Sequence, residues 1–485
     1  MSEIIVKVVG GILRAVKSDD IQYLKDEATI ENAAVYYKSC VCGAKGTETF
    51  DYGTPLKEYT DAEKVAYKPT SLTVTLYDSE NSVYGFTWNT QSEPLRPVVQ
   101  VQKGNSLTDT CEEYFATVEQ ASSFNENDEE ITYYIVKAEI SLESEQTYSY
   151  RAYDKYVDVG TEVATFTARD TKTTSFSFAH ISDSQATFGK GYGGSYFAQT
   201  LSQIVDNNDF LLHTGDVVEY SKYEYEWKSM LDDNFSYLSK IPVMAISGNH
   251  ETTYQNGVNE TFKHFNNKLP VQESTDLGYF YSFIYGNAKF IMLNTNKLTS
   301  SKLTTEQYEW LIEELEHNTC EWTIVAMHNP MYSVGKYGAD SSRNKIALAL
   351  REQLQGIFAE YNVDVVLQGH DHAISRTYPI NVQGNPQSEK WKTINGVKYS
   401  VNPNGVIYVM NGPAGDQSRT PYAIDDSLYH YAQSSYARSW ADFVIDGNTM
   451  KVSVKYYNGS EIKTYQTWGI LKDGDEKGKS WTGLY

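Results

Sequence analysis

Five short segments of this 485-residue chain carry the residue types that ligate cations. They are ISDSQ with Asp183, HTGDVVEY with Asp216, SGNHE with Asn249 and His250, AMHNP with His328, and QGHDH with His370 and His372. Each stands just past the end of a short apolar run that reads as a buried strand. A lone Asp or His at a strand end is usually a cap or a hydrogen-bonded core group. Five in chain order, offering only carboxylate, amide and imidazole donors, form a coordination inventory. Two cations about 3.5–4 Å apart need an anionic oxygen between them to damp their repulsion. Asp216, in a tight Gly-Asp turn, suits that bridge. The imidazoles of His328, His370 and His372 suit iron, zinc or manganese. A spacing of two in an extended segment would point His370 and His372 the same way, toward adjacent cations.

The elements that position these residues follow from periodicity. After the polar linker ARDTKTTS, apolar strands alternate with amphipathic helices. FSFAHIS, DFLLHTG, PVMAISG, FIMLNT, EWTIVAMH and VDVVLQG read as strands. Helices are expected near 193–207 and 222–239, over TTEQYEWLIEELEHN, and near 344–361. This is α/β grammar, with strands covered on both faces. In an open sheet of that kind the loops after the strands converge on one crevice. Short strands return from about 400 to 470, and they read as the closing sheet of the same layered unit. Upstream, YKPTSLTVTLYD, SVYGFTWNT, RPVVQVQKG, ITYYIVKAEI, TYSYRAYD and EVATFTA alternate at period two. That pattern predicts an immunoglobulin-like β-sandwich with Trp88 in its core. The expected units are residues 1–65, a small accessory module, 67–170, the sandwich, and 171–475, the layered α/β unit.

Composition limits the partners. The chain has 63 acidic and 41 basic residues, a formal charge of −22, and such a field repels a nucleic-acid polymer. Small phosphorylated ligands stay compatible, because bound cations invert the local potential. No run of 18 apolar residues occurs, so no membrane span is expected. The N-terminal residues lack the basic-then-apolar order and the cleavage site of a secretory signal. Cys40, Cys42, Cys111 and Cys320 are too few for a disulfide framework at this length.

The five motifs resemble the calcineurin-like metallophosphoesterases, and more narrowly their purple acid phosphatase branch. That pattern runs Asp, Gly-Asp, Gly-Asn-His-Glu, His, Gly-His-x-His, and residues 176–378 meet it in order. FYSFIYGNAKFIMLNT is similar to the strand pair that follows Gly-Asn-His-Glu in that branch. The resemblance implies an αββα metallophosphoesterase fold behind a fibronectin III-like sandwich. It implies a small phosphorylated substrate and hydrolysis of phosphomonoesters by attack of a metal-bound hydroxide. Phosphodiester or nucleotide hydrolysis at the same site is the alternative, and a catalytically inactive cell-surface binding protein is another. The implied cofactors are two metal ions, iron with zinc or manganese. Asp183 and His372 would hold the first, Asp216 would bridge and take part in catalysis, and Asn249, His328 and His370 would hold the second. His250 would sit over the phosphate and stabilise developing charge or protonate the leaving oxygen.

Two departures matter. The first motif is Asp183-x-Gln185 where most metallophosphoesterases have Asp-x-His. The branch's iron-binding tyrosine stands three residues after the Gly-Asp aspartate, where this chain has Glu219, with Tyr220 one residue later. The fourth protein ligand of the first metal is therefore open among Tyr220, Gln185 and Glu219. Arg343 and Arg376 lie in loops expected near the crevice and could fork a phosphate. His180 and His213 read as buried, hydrogen-bonded core groups. The stretch AVYYKSCVCGAKGTETFDYG resembles a Cys-bearing module of surface and secreted proteins in Gram-positive bacteria. It implies an extracellular or cell-surface location, with association through that module.

Overall fold

The structure, a computed structural model, describes residues 57–185, 194–252, 261–270, 279–296 and 298–474, together with strands between residues 4 and 52. Cys40, Cys42 and most of the loops 186–194 and 252–260 lie outside the described residues.

The period-two segments between residues 70 and 168 form two antiparallel sheets. One orders Thr117–Phe124, Glu130–Ser141, Val83–Thr90 and Thr70–Asp78. The other is built on Gln146–Asp154, which pairs with Pro97–Lys103 on one side and Ala164–Ala168 on the other. Alternate residues face inward, and there Phe86, Tyr150 and Phe166 meet edge to face. Trp88 is buried among them, 1% exposed.

Two larger sheets face each other beyond residue 175. The eight-stranded one carries Val243–Ala245, Phe210–His213 and Ser175–Ile181 as parallel neighbours, then Ser439–Asp446 and the following hairpins. The seven-stranded one carries Ala288–Met292, Trp322–Met327, Val365–Gln368 and Ile407–Asn411, all parallel. Strand alternation assigns the two faces of this second sheet. Phe290, Ile324, Ala326, Val365, Leu367 and Val409 share a cluster with the first sheet. Their neighbours Ile291, Val325, Val366 and Tyr408 pack with Leu311, Leu315, Leu350, Leu354 and Phe358 of helices Thr305–Glu316 and Lys345–Glu360. Between the sheets Phe290 meets Phe178 and Phe210 edge on. Helices Gly194–Ile204 and Glu224–Asp233 are the other expected helical segments. The layers are thus helix, sheet, sheet, helix, the αββα order that the resemblance implies.

The single closing sheet expected after residue 400 is corrected. Residues 391–401 and 439–471 extend the first sheet, whereas Ile407–Asn411 and Tyr429–Gln433 belong to the second. Ile407–Asn411 is buried throughout and has the parallel strand Val365–Gln368 to pair with, so it joins the inner layer.

Candidate metal centre

The five motifs are delivered by both sheets. Ser175–Ile181 leads to Asp183, Phe210–His213 to Asp216, and Val243–Ala245 to Asn249 and His250. From the facing sheet, Trp322–Met327 leads to His328, and Val365–Gln368 to His370 and His372. The crevice therefore lies across the seam of two sheets, not at the switch point of one open sheet. Cross-seam contacts close it. The backbone N–H of His370 reaches both Asp183 oxygens, 2.9 and 3.0 Å away. His328 Nε2 is 3.2 Å from Asp216 Oδ2, and His372 Nε2 is 3.2 Å from Asp183 Oδ1.

Several of the motif residues have strained backbone. Asp183, Asp216, His370 and His372 all have positive φ, at 52°, 56°, 75° and 50°. Such conformations cost non-glycine residues on the order of 1 kcal/mol each and persist only where the surroundings impose them. The extended segment expected for His370 and His372 is corrected accordingly. Left-handed turns, not strand alternation, aim the two imidazoles, and each joins a different group of donors. Asp371 between them accepts the N–H groups of Tyr337 and Gly338, 3.1 and 3.0 Å away, which fixes the turn.

Gly248 and Glu251 draw the Gly-Asp and Gly-Asn-His-Glu turns together. A Cβ on Gly248 would lie 2.0 Å from Asp216 Oδ1, so only glycine permits the approach. The Glu251 carboxylate, fully buried, accepts the N–H groups of Gly248, Asp216, Val217 and Val218. Burial, and then the Asp216 charge, push its carboxyl up to about 7 against these donors. Residue types alone gave Glu251 no role; its place in the motif beside a ligand turn was the available signal.

Two sets of three donors have their ligand atoms within 4.8 Å of one another: Asp216, His328 and His370, and Asp183, Asp216 and His372. Asp216 is common to both. Asn249 Oδ1 stands 3.1 Å from His328 Nε2. The imidazole orientations are fixed from behind. Nδ1–H of His328 donates to Thr214 O at 2.8 Å, and Nδ1–H of His372 to Gln417 O at 2.6 Å. Both Nε2 atoms are left facing carboxylate oxygens. Imidazole nitrogens and carboxylate oxygens that converge in a buried space can share a proton or a cation, and this donor set fits two metal ions with Asp216 common to both groups.

Burial disfavours the charged form of His328, yet the Asp216 carboxylate carries it up to about 9. Burial raises Asp183 and Asp216, but His372 holds the first at about 2, and His328 holds the second further below the carboxylate range. Burial and the charge of His328 take His370 down to about 3.

Of the open candidates for the fourth ligand, Gln185 is at the cluster. Its amide is satisfied when its nitrogen points to the carbonyls of Asp183 and Asp216, each 3.2 Å away. The oxygen then takes the terminal position 3.3 Å from His372 Nε2 and 3.5 Å from Asp216 Oδ2. The Tyr220 ring lies edge-on to Tyr223, 6.2 Å between centroids, and Glu219 Oε2 accepts from Gln417 at 3.3 Å.

His250 sits at the same cluster. Its Nδ1–H donates to Glu219 O at 2.7 Å, and its Nε2 is 3.8 Å from Asp216 Oδ2. Burial opposes its charged form, and the Asp216 carboxylate raises its pKa in spite of that. Arg376 is not brought to the centre. It is fully buried in strand Ile374–Thr377, where Glu389 takes its guanidinium through both terminal nitrogens, and Trp468 stacks at 4.3 Å. A fork already filled by a carboxylate is not available to a phosphate, which corrects that expectation. Arg343 lies on the exposed turn after Asp340. His180 and His213 are buried and hydrogen-bonded, to Thr214 and Asn411 and to Ser184 and Gly215 respectively.

Residues 176–373 match the family model of the calcineurin-like phosphoesterases, so the chain carries a calcineurin-like phosphoesterase domain. The curated proteins it is similar to include purple acid phosphatases and other acid phosphatases. It is 30% identical over 185 residues to purple acid phosphatase 23 of Arabidopsis thaliana, covering 37% of this chain and 35% of that one. It is 26% identical over 238 residues to acid phosphatase type 7 of Homo sapiens, covering 44% and 50%. The matches thus span a third to a half of these relatives' lengths. In fold it is similar to a purple acid phosphatase from yellow lupin (Lupinus luteus) seeds, with a TM-score of 0.69, 17% identity, and coverage of 84% of this chain and 75% of that one.

Proposed function

We propose that this protein is a metal-dependent phosphatase that hydrolyses small phosphate monoesters. The observation that carries the reading is the pair of three-donor groups sharing Asp216 in a buried seam. Asp183, Gln185 and His372 would hold one cation, Asn249, His328 and His370 the other, and Asp216 both. Two cations held there would supply an activated water and neutralise charge on the phosphoryl oxygens. The chain's own residues do the rest. The left-handed turns at Asp183, Asp216, His370 and His372 preorganise the donors. His250, held by Glu219 O, faces the leaving oxygen and donates a proton to it.

Iron with zinc or manganese is the metal pair proposed. Residues 67–170 are read as a fibronectin III-like support and 171–475 as the catalytic unit, with 1–65 as an accessory module. The resemblance of residues 34–53 to surface modules supports a secreted or cell-surface protein of a Gram-positive bacterium, which fractionation of the native cells would check. Among the described residues no helix is long and apolar enough to cross a membrane.

Elemental analysis alongside turnover of nitrophenyl phosphate and of its bis-ester tests the reading. Near two metals per chain, and monoester turnover that chelation abolishes and metal restores, are expected. Metal-free protein that no reconstitution activates would sink it.

A further inference from the structure

The segment that holds His250 is itself held by the β-sandwich. Bonds that fix His250 include its N–H to Asp216 Oδ1 at 2.9 Å, its Nδ1–H to Glu219 O at 2.7 Å, and the Ser221 hydroxyl to its carbonyl at 2.7 Å. The last two come from residues 219–221. Ser221 is 1% exposed, and its own carbonyl accepts Trp227 Nε1–H at 2.9 Å.

The next residue crosses to the sandwich. Lys222 O accepts the N–H of Phe124 at 3.0 Å and the hydroxyl of Ser123 at 2.7 Å. Phe124 and Tyr223 are paired as a parallel bridge, which extends strand Thr117–Phe124 onto this loop. Lys222 Nζ and Tyr223 OH also reach Asp128 Oδ1, at 2.7 and 2.8 Å. That ion pair is exposed, with 30% and 63% of its side chains accessible, so it contributes little by itself. The bonds to the Lys222 carbonyl are the better shielded ones, with Ser123 only 6% exposed. They set where residues 221–222 lie.

We infer that the end of the sandwich strand, through Ser123, Lys222 and Ser221, positions His250 for proton donation to the leaving group. Ser221 and Ser123 are positioning residues, since neither touches the reacting atoms. The inference rests on the phosphatase reading above and deepens it. A tie that served stability alone would not change how the enzyme responds to its leaving group. A positioning tie would, because an ester of a weakly acidic alcohol depends on the donated proton and a nitrophenyl ester largely does not.

Ser221→Ala and Ser123→Ala are compared with the unaltered full chain on nitrophenyl phosphate and glycerol phosphate, with metal content measured on the same samples. In Ser221→Ala, kcat for glycerol phosphate falls about tenfold further than for nitrophenyl phosphate, at full metal content and little-changed KM. Ser123→Ala shifts the ratio in the same direction by less. An unchanged ratio in both variants overturns the inference, as does a loss of activity that tracks loss of metal. Unaltered protein that binds metal but turns over neither ester overturns the phosphatase reading, and this inference with it.

Discussion

Glu251 Oε2 accepts the backbone N–H of Asp216 at 2.9 Å. The same carboxylate takes Gly248 N at 2.6 Å, Val217 N at 2.9 Å and Val218 N at 3.3 Å, with no exposure to solvent. Where it is ionised, above about pH 7, this carboxyl offers acceptors alone, which no other side chain of this size does. Glu251→Gln keeps the shape and turns an NH2 group against backbone donors. Each buried N–H left without an acceptor costs about 1–3 kcal/mol. Urea unfolding of Glu251→Gln is therefore expected to show a loss of about 2–3 kcal/mol, with weaker metal retention as the Asp216 turn loosens. A change below about 0.5 kcal/mol, ordinary for a surface position, would show that the clamp is idle.

His180 makes stability depend on acid. It is buried, bonded through Nε2 to Thr214 Oγ1 at 3.0 Å and through Nδ1 to Asn411 Nδ2 at 2.7 Å. Burial, then the neighbouring His213, hold its pKa down at about 3, against 6.5 for a free imidazole. The unfolded chain thus takes up a proton near pH 6.5 that the folded chain refuses. Stability is full above pH 6.5 and falls below it by about 1.4 kcal/mol per pH unit. His213, lowered to about 4 by burial, adds to the loss over the same window. Denaturant midpoints measured from pH 7 to pH 4.5 should decline, and His180→Gln should flatten the decline. Parallel curves for the two proteins would show that His180 does not titrate on unfolding.

The ligand types were legible in the chain because each strand run ends in a loop that carries one. What escaped was conformation. His370 and His372 are two apart, which in a strand would put them on one face, yet both sit in left-handed turns held by the Asp371 bonds to residues 337 and 338. No local signal announces contacts made by a loop over thirty residues upstream. Arg376 escaped for a related reason. Its partner Glu389 is thirteen residues on, and only the tertiary fold reveals that the guanidinium is already taken. The layer of the strands after residue 400 escaped because a buried parallel strand such as Ile407–Asn411 looks alike in either sheet.

The Gln185 amide predicts a spectrum. If its oxygen, turned toward His372 and Asp216, completes the first site, no tyrosinate binds iron there and the protein has no charge-transfer band in the visible. Gln185→Ala should retain less metal at one of the two positions, while Tyr220→Phe should leave both the metal content and the spectrum unchanged. An absorption band between green and red that disappears in Tyr220→Phe would assign the ligand to Tyr220 and remove Gln185 from the site.

Replacing His250 tests whether binding and chemistry separate at this centre. Its ring stands 3.8 Å from Asp216 Oδ2, and its Nδ1–H is committed to Glu219 O, so only Nε2 faces the crevice. None of its bonds is needed to complete either three-donor group, because Asp216, His328, His370, Asp183 and His372 form both without it. His250→Ala should therefore keep near two metals per chain and a KM close to the unaltered value. Its kcat should fall by about 10²–10⁴, the usual contribution of a positioned proton donor. Nitrophenyl phosphate should suffer less than glycerol phosphate, since its leaving group departs without help. Full turnover of both esters by metal-loaded His250→Ala would remove this residue from the chemistry, and loss of metal would instead make it part of the cation site.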